Sequence, residues 1–307
     1  MNKYRYKIYG LIVESELEIA QATSLTDDKE SLKCDVEIVF GEIPDRLRKA
    51  GEEGYGSWLN GFKAAWFNTK GTAQYLITGG NRIVVRPYPD PDEKLMVSMI
   101  LSAGMSLILL QRNEPVFHGS VIEKDGYAYI ISGTSGAGKS TVTMELLKDN
   151  VWMFMADDTV RLSLDNGKVY CYPTYPQQKV CRDLACRIGL DLNDMVYIDE
   201  GRDKFAYKRT DRYYDCNAEL KSIYIINKSK DVSEVKYEKL QGMDYVHAFI
   251  NNLYLSDNYK RDTGVPSEFM KLINILFHQA DIYLITRPAE GNTVESVVDK
   301  IRFLQSC

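Results

Sequence analysis

Short runs of alternating polar and apolar residues dominate the first ninety positions, and a period of two marks strands with one buried face. Cys34-Asp35-Val36-Glu37-Ile38-Val39-Phe40 largely alternates. Ala64-Ala65-Trp66-Phe67, Gln74-Tyr75-Leu76-Ile77-Thr78 and Arg82-Ile83-Val84-Val85-Arg86 follow it. Gly79-Gly80-Asn81 between the last two reads as a hairpin turn, and Pro87-Tyr88-Pro89-Asp90-Pro91 breaks the pattern. A β-rich unit over 1–91 is therefore expected, and a helix from about Glu93 to Gln111 leads into a second unit over 92–307. There, apolar runs at 116–122 and 127–132 flank the turn Lys124-Asp125-Gly126. Further strands are predicted at 152–156, 160–164, 222–226 and 282–286, and helices at 179–189, 241–252, 267–279 and 291–305. The hairpin ahead of the strand at 127–132 argues against a simple alternating order. The expected fold is α/β of mixed α+β character, built on a mixed sheet.

Candidate chemistry lies at the end of that strand. Gly133-Thr134-Ser135-Gly136-Ala137-Gly138-Lys139-Ser140 fits the phosphate-loop pattern at every fixed position, with Tyr127–Ser132 entering as a strand and Ser140–Lys148 leaving as a helix. Glycines let successive backbone N–H groups turn toward phosphate oxygens, and the helix dipole adds to that field. The predicted ATP contacts are Gly133, Ser135, Gly136, Ala137, Gly138, Lys139, Ser140 and Thr141. Lys139 supplies a mobile charge to the transferred phosphate, and Ser140 a hydroxyl to Mg²⁺. The apolar run 152–156 ends in Asp157-Asp158, where a phosphoryl-transfer site needs carboxylates. One can hold Mg²⁺ while the other accepts a proton from an attacking hydroxyl.

Composition narrows the classes. The 307 residues carry a formal net charge of -5, a sequence pI near 5.4 and no basic block, which argues against nucleic acid as partner. No signal-peptide pattern follows the N-terminus. The uncharged stretch Leu95–Gln111 is shorter than the roughly 20 apolar residues of a spanning helix, so a buried helix and a cytoplasmic protein without membrane partner are expected. Six scattered cysteines, Cys34, Cys171, Cys181, Cys186, Cys216 and Cys307, read as reduced structural thiols. Cys181 and Cys186 lack the second pair that a zinc site favours.

A histidine, His118, stands 21 positions before Lys139, and Asp157 stands 18 after it. In that order, His118, the loop 133–140 and Ala156-Asp157-Asp158 resemble the HPr kinase/phosphorylase family, over about 115–165 in specific motifs and 115–290 in outline. The resemblance implies the phosphoenolpyruvate carboxykinase type of P-loop fold. It also implies Asp157 as base toward a serine hydroxyl, His118 beside it tuning that transfer, and catalytic roles for His118, Lys139 and Asp157, with Ser140 and Asp158 on Mg²⁺. The family's glutamate-containing glycine-rich signature is absent, only Cys186-Arg187-Ile188-Gly189 being present, which counts against HPr as substrate and against phosphorolysis. The layout, including the segment from Tyr172 to Asp183, looks more like the HPr-kinase-like enzymes that phosphorylate a precursor-peptide serine in lasso peptide pathways. The expected acceptor is thus a peptide or small protein bearing a serine. Residues 1–91 are expected to present it, to hold a homo-oligomer together, or to cap the kinase sheet.

Rival readings remain. Asn227-Lys228-Ser229-Lys230 almost spells the guanine-reading motif, but Lys230 cannot accept the hydrogen bonds that a carboxylate takes there. A non-catalytic ATP sensor and a kinase acting on free serine or another small molecule stay open.

Overall fold

The structure is a computed structural model and describes residues 3–25, 32–53, 57–59, 64–199, 203–258 and 264–306. Strands β1 (Tyr4–Ile8), β2 (Leu11–Ser15), β3 (Thr23–Ser24) and β4 (Val36–Phe40) begin the first sheet. After helix α1 (Asp45–Glu52), β5 (Ser57–Leu59), β6 (Ala64–Thr69), β7 (Ala73–Thr78) and β8 (Arg82–Pro87) complete it. Its order is β3-β1-β2-β4-β8-β7-β6-β5, parallel at β2–β4 and β4–β8 and antiparallel elsewhere. The predicted hairpin is β7–β8. The connection is three residues long, and Gly79 and Gly80 both take positive φ, 62° and 66°, inside a turn closed by the Asn81 N–H on the Thr78 carbonyl at 3.3 Å.

Helical residues run from Glu93 to Gln111 as α2 (Glu93–Met99), a π-helical turn (Ile100–Gly104) and α3 (Met105–Gln111). Asp92 caps the start by accepting from the Leu95 N–H at 3.0 Å. This stretch is long and apolar enough to cross a membrane by length and composition, and 61% of its most apolar window is buried within the fold. Gln111 ties its end to the hairpin, accepting from the Gly80 N–H at 2.8 Å and donating to the Ile77 carbonyl at 3.0 Å.

The second sheet starts with β9 (Val116–Lys124) and β10 (Tyr127–Gly133), and then the chain forms α4 (Lys139–Leu146). β11 (Met153–Ala156), β12 (Thr159–Asp165) and β13 (Lys168–Tyr172) follow. A small antiparallel sheet interrupts: β14 (Gln177–Cys181), α5 (Arg182–Arg187), β15 (Val196–Asp199) and β16 (Lys204–Lys208), ordered β14-β16-β15. The chain then returns through β17 (Ala218–Ser229), β18 (Lys236–Lys239), α6 (Gly242–Asn251), α7 (Ser256–Asn258), α8 (Ser267–Gln279), β19 (Asp281–Pro288) and α9 (Val294–Ser306). The main order is β10-β9-β12-β13-β17-β19-β18. β11 pairs with β9, and β10 also pairs with β17, in parallel. Parallel β10–β17–β19 beside antiparallel β9, β12 and β13 makes the sheet mixed, as the hairpin order predicts. The fold is mixed α/β.

Two cores cover the faces of this sheet. On one face α4 and α9 pack Val142, Leu146, Val297 and Ile301 against Tyr224 and Ile285. On the other, one apolar cluster runs from Ile8, Tyr75 and Ile77 of the first sheet through Ile100 and Ile108 to Phe117, Val160 and Ile282. The two regions thus share a buried core across the Pro-rich break at 87–91.

The expected helix at 179–189 is corrected: residues 177–181 are strand β14, and the helix spans only Arg182–Arg187. The pairing of β14 with β16, Lys179 opposite Ala206, overrides the local helical spacing. The loop helix likewise stops at Leu146, short of Lys148. Cys34, Cys171, Cys181, Cys186 and Cys216 carry free thiols, and Cys307 lies outside the described residues.

Candidate active site

β10 ends where the phosphate loop begins, and α4 starts at Lys139, so the loop's amides and the helix N-terminus converge. Gly133 makes the turn possible. It sits at φ 137°, and a Cβ there would lie 2.3 Å from the Ile226 carbonyl oxygen of β17. Because that neighbour is backbone in the sheet, it cannot swing aside. Gly133→Ala is expected to abolish nucleotide binding or to leave the protein insoluble; normal ATP affinity in a calorimetric titration of this variant would contradict the geometry.

Lys139 folds across its own loop, its Nζ donating to the carbonyls of Gly133 at 2.8 Å and Thr134 at 3.2 Å. Arg287, at the end of β19, donates through Nε to the Ala137 carbonyl at 2.9 Å and braces the loop from the side.

Opposite the loop stand the two aspartates at the turn between β11 and β12. Asp157 is buried. It accepts from the Ser120 hydroxyl on one oxygen and from the Lys179 N–H at 2.8 Å on the other. Burial pushes its carboxyl above the ordinary range despite these bonds. Asp158 takes φ 71° and ion-pairs with Lys179 Nζ at 2.7 Å. Burial would raise its carboxyl, but the Lys179 charge and hydrogen bond prevail and hold it well below the usual range. Adjacent carboxylates therefore differ in proton affinity. Asp158 is a fixed anion, while Asp157 is the better proton acceptor.

His118 lies on β9 opposite Thr159 of β12, with its backbone N–H bonded to the Asn252 carbonyl at 2.8 Å. Burial, aided by the Lys139 charge, lowers its pKa below the ordinary value, so the ring is neutral near pH 7. Ser132 Oγ donates to the His118 carbonyl at 2.6 Å and so fixes the histidine strand to the loop strand.

A cleft of about 690 Å³ brings most of the expected residues together: His118, Ser135, Gly136, Gly138, Lys139, Ser140, Thr141, Asp157 and Asp158 all line it. Gly133 and Ala137 do not. Gly133 opens on a smaller crevice with His118 and Asn252, and Ala137 packs into the α4–α9 core. Sequence reasoning missed Lys179, Lys204, Arg187, Lys228 and Arg287, which also face the cleft. The run Gln177-Gln178-Lys179-Val180-Cys181 has no polar-apolar alternation, so nothing local marks the strand that carries Lys179. The near-guanine motif had marked Lys228 for another role.

Among the described residues no three His, Cys, Asp or Glu side chains gather to cage a metal. The donor set, one ionised carboxylate and one hydroxyl, suits an Mg²⁺ held largely by phosphates and water rather than by protein.

Comparison with known proteins agrees with the motifs over a limited stretch. No protein-family profile matches the chain. Over 79 residues it is 34% identical to the HPr kinase/phosphorylase of Treponema pallidum, in the Nichols strain and in a second strain alike, a match covering 24% of this chain and 24% of each relative. The matched stretch is HPr kinase-like. The chain spans about a quarter of the length of the curated relatives it matches. It also overlays on the Hpr(Ser) kinase/phosphatase of Coxiella burnetii with a TM-score of 0.33 and 12% identity, covering 62% of this chain and 90% of that one, too loosely to bear on chemistry.

Proposed function

We propose that this chain is an ATP-dependent, HPr kinase-like kinase that transfers the γ-phosphate to a serine hydroxyl. The observation that carries this reading is the aspartate pair: two neighbouring carboxylates of opposed proton affinity face a phosphate loop across one cleft. Loop amides and Lys139 hold the β- and γ-phosphates. Ser140 and Asp158 would hold Mg²⁺, which would neutralise charge building on the phosphate oxygens. Asp157 takes the proton of the acceptor hydroxyl as its oxygen bonds to the γ-phosphorus and the bond to the β–γ bridging oxygen breaks. Neutral His118, beside Asp158, adds no positive charge that would lower the proton affinity of Asp157.

The acceptor is taken to be a serine on a peptide or small protein in the cytoplasm, with free serine as the alternative. The family likeness and the breadth of the cleft beyond the loop support this. Asp157→Asn is expected to keep nucleotide affinity and lose transfer by at least about a hundredfold, the scale of a lost general base. Asp158→Asn is expected to raise the Mg²⁺ concentration needed for half-maximal rate. Radiolabel transfer and a magnesium titration of both variants test the assignment. Exchanged effects would reverse the roles, and unaltered transfer in both would remove the aspartates from the mechanism. A nucleotide sensor would bind ATP without transferring phosphate to any serine acceptor.

A further inference from the structure

The cleft carries more positive charge than a magnesium nucleotide requires. Lys139, Lys179, Arg187, Lys204, Lys228 and Arg287 line it against the carboxylates of Asp157, Asp158 and Asp183. A triphosphate with one Mg²⁺ brings about two negative charges, so roughly one positive charge stays uncompensated.

Four of the cations have a place. Lys139 belongs to the loop, and Lys179 pairs with Asp158. Arg287 braces the Ala137 carbonyl, and Lys228 is its strand partner at the end of β17. The other two sit on the wall built by α5 and the small sheet, to which Lys179 of β14 also belongs. Arg187 closes the last turn of α5, and Lys204 begins β16 opposite Cys181. Among the described residues neither makes an ion pair within 4.0 Å. Asp183, one turn before Arg187, leaves it free. Asp203, next to Lys204, is engaged by Arg182 at 2.8 and 3.0 Å, a contact that also fastens α5 to β16. The Lys204 charge also reaches His118, Asp157 and Asp158, more weakly than their nearer neighbours do, and its side chain lines the same cleft as theirs.

We propose that Arg187 and Lys204 form a carboxylate subsite for the phosphate acceptor, so that the preferred serine has an acidic group within a side chain's reach of its hydroxyl. Such a subsite presupposes the kinase reading given above. A guanidinium fork and an ammonium on one wall suit a carboxylate better than a neutral chain, and Lys204 would hold the acceptor against the aspartates. The same chemistry has two sources, an acidic side chain flanking the serine or the serine's own carboxylate.

Three acceptors separate them: a serine peptide with blocked ends and flanking glutamates, its glutamine counterpart, and free serine. With the full-length protein and Mg–ATP, the acidic peptide is expected to exceed the neutral one in kcat/KM by about tenfold to a hundredfold, the worth of charge-assisted hydrogen bonds. Charge reversal in Lys204→Glu and Arg187→Glu is expected to cancel that ratio and favour a lysine-flanked peptide, which a merely structural role would not do. If free serine alone is phosphorylated and loses rate in both variants, the carboxylate is the amino acid's own. Equal rates for acidic and neutral peptides in the wild type would overturn the subsite. So would a ratio that survives both substitutions, or a loss of nucleotide affinity that accounts for the change. Should no serine be phosphorylated although Mg–ATP binds, the kinase reading fails separately. Binding of alanine versions of the peptides with a non-hydrolysable ATP analogue then decides: acid-dependent affinity supports the subsite, and its absence refutes it.

Discussion

Phosphate transfer is expected to fall by about a thousandfold when Lys139 is replaced by alanine, the scale of a lost charge at a transferring phosphoryl group. In the structure the ammonium rests on the carbonyls of Gly133 and Thr134, bonds that a neutral backbone makes weakly and can give up. Phosphate oxygens offer it a full charge instead, and the interaction strengthens as the γ-phosphoryl group departs. Because much of the gain comes in the transition state, Lys139→Ala should cost far more in rate than in nucleotide affinity. Arginine should not rescue it. Its planar fork does not reproduce the point-charge contacts that the ammonium makes with the carbonyls of Gly133 and Thr134. Single-turnover transfer, with nucleotide affinity measured alongside, separates the two effects. A variant with the wild-type rate would remove the phosphate loop from catalysis.

The phosphate-binding half of the site was legible in the sequence because its chemistry is local. Loop amides, Lys139 and Ser140 are consecutive in the chain, and a glycine such as Gly133 is demanded by its own φ and by one backbone neighbour. Asp157 and Asp158 were legible for a similar reason, standing where an apolar strand runs out. The reading failed where pairing partners are distant. Val180, Leu184 and Ile188 have helical spacing, yet hydrogen bonds from β16 draw 177–181 into a strand. That strand aims Lys179 at Asp158 and its backbone N–H at Asp157. A lysine that holds Asp158 ionised and hydrogen-bonds Asp157 through its backbone was therefore invisible to a local pattern.

The first sheet shows the same limit on a larger scale. Alternation located its strands, but no local pattern reports that Tyr9, in a hairpin turn at φ 55°, is fully buried and hydrogen-bonded to Thr159. Contacts between residues 150 positions apart in the chain follow from tertiary packing, and these join the first sheet to the strand after the aspartates.

Arg161→Leu is accordingly expected to destabilise the whole protein by about 3–5 kcal/mol, the scale of a buried ion pair that loses one partner. Arg161 is 8% exposed. Its guanidinium binds both Glu114 oxygens, donates through Nη1 to the Tyr9 carbonyl at 2.6 Å, and lies 4.2 Å from the centre of the Tyr172 ring. One side chain thus ties β12, the approach to β9 and the first hairpin turn. Leucine fills part of the volume but leaves the Tyr9 carbonyl without its donor and the Glu114 charge with only the longer contact to Arg112 at 3.9 Å. The double variant Arg161→Leu, Glu114→Leu should recover much of the loss, since no part-buried carboxylate is then left with its main partner removed. Urea unfolding followed by both tryptophan fluorescence and circular dichroism reads the outcome. A single transition moved to lower urea means that the first sheet and the phosphate-loop region unfold together, as their shared core requires. Two separate transitions, or a loss below about 1 kcal/mol, the range of exposed ion pairs, would mean that residues 1–91 stand on their own and that this contact adds little.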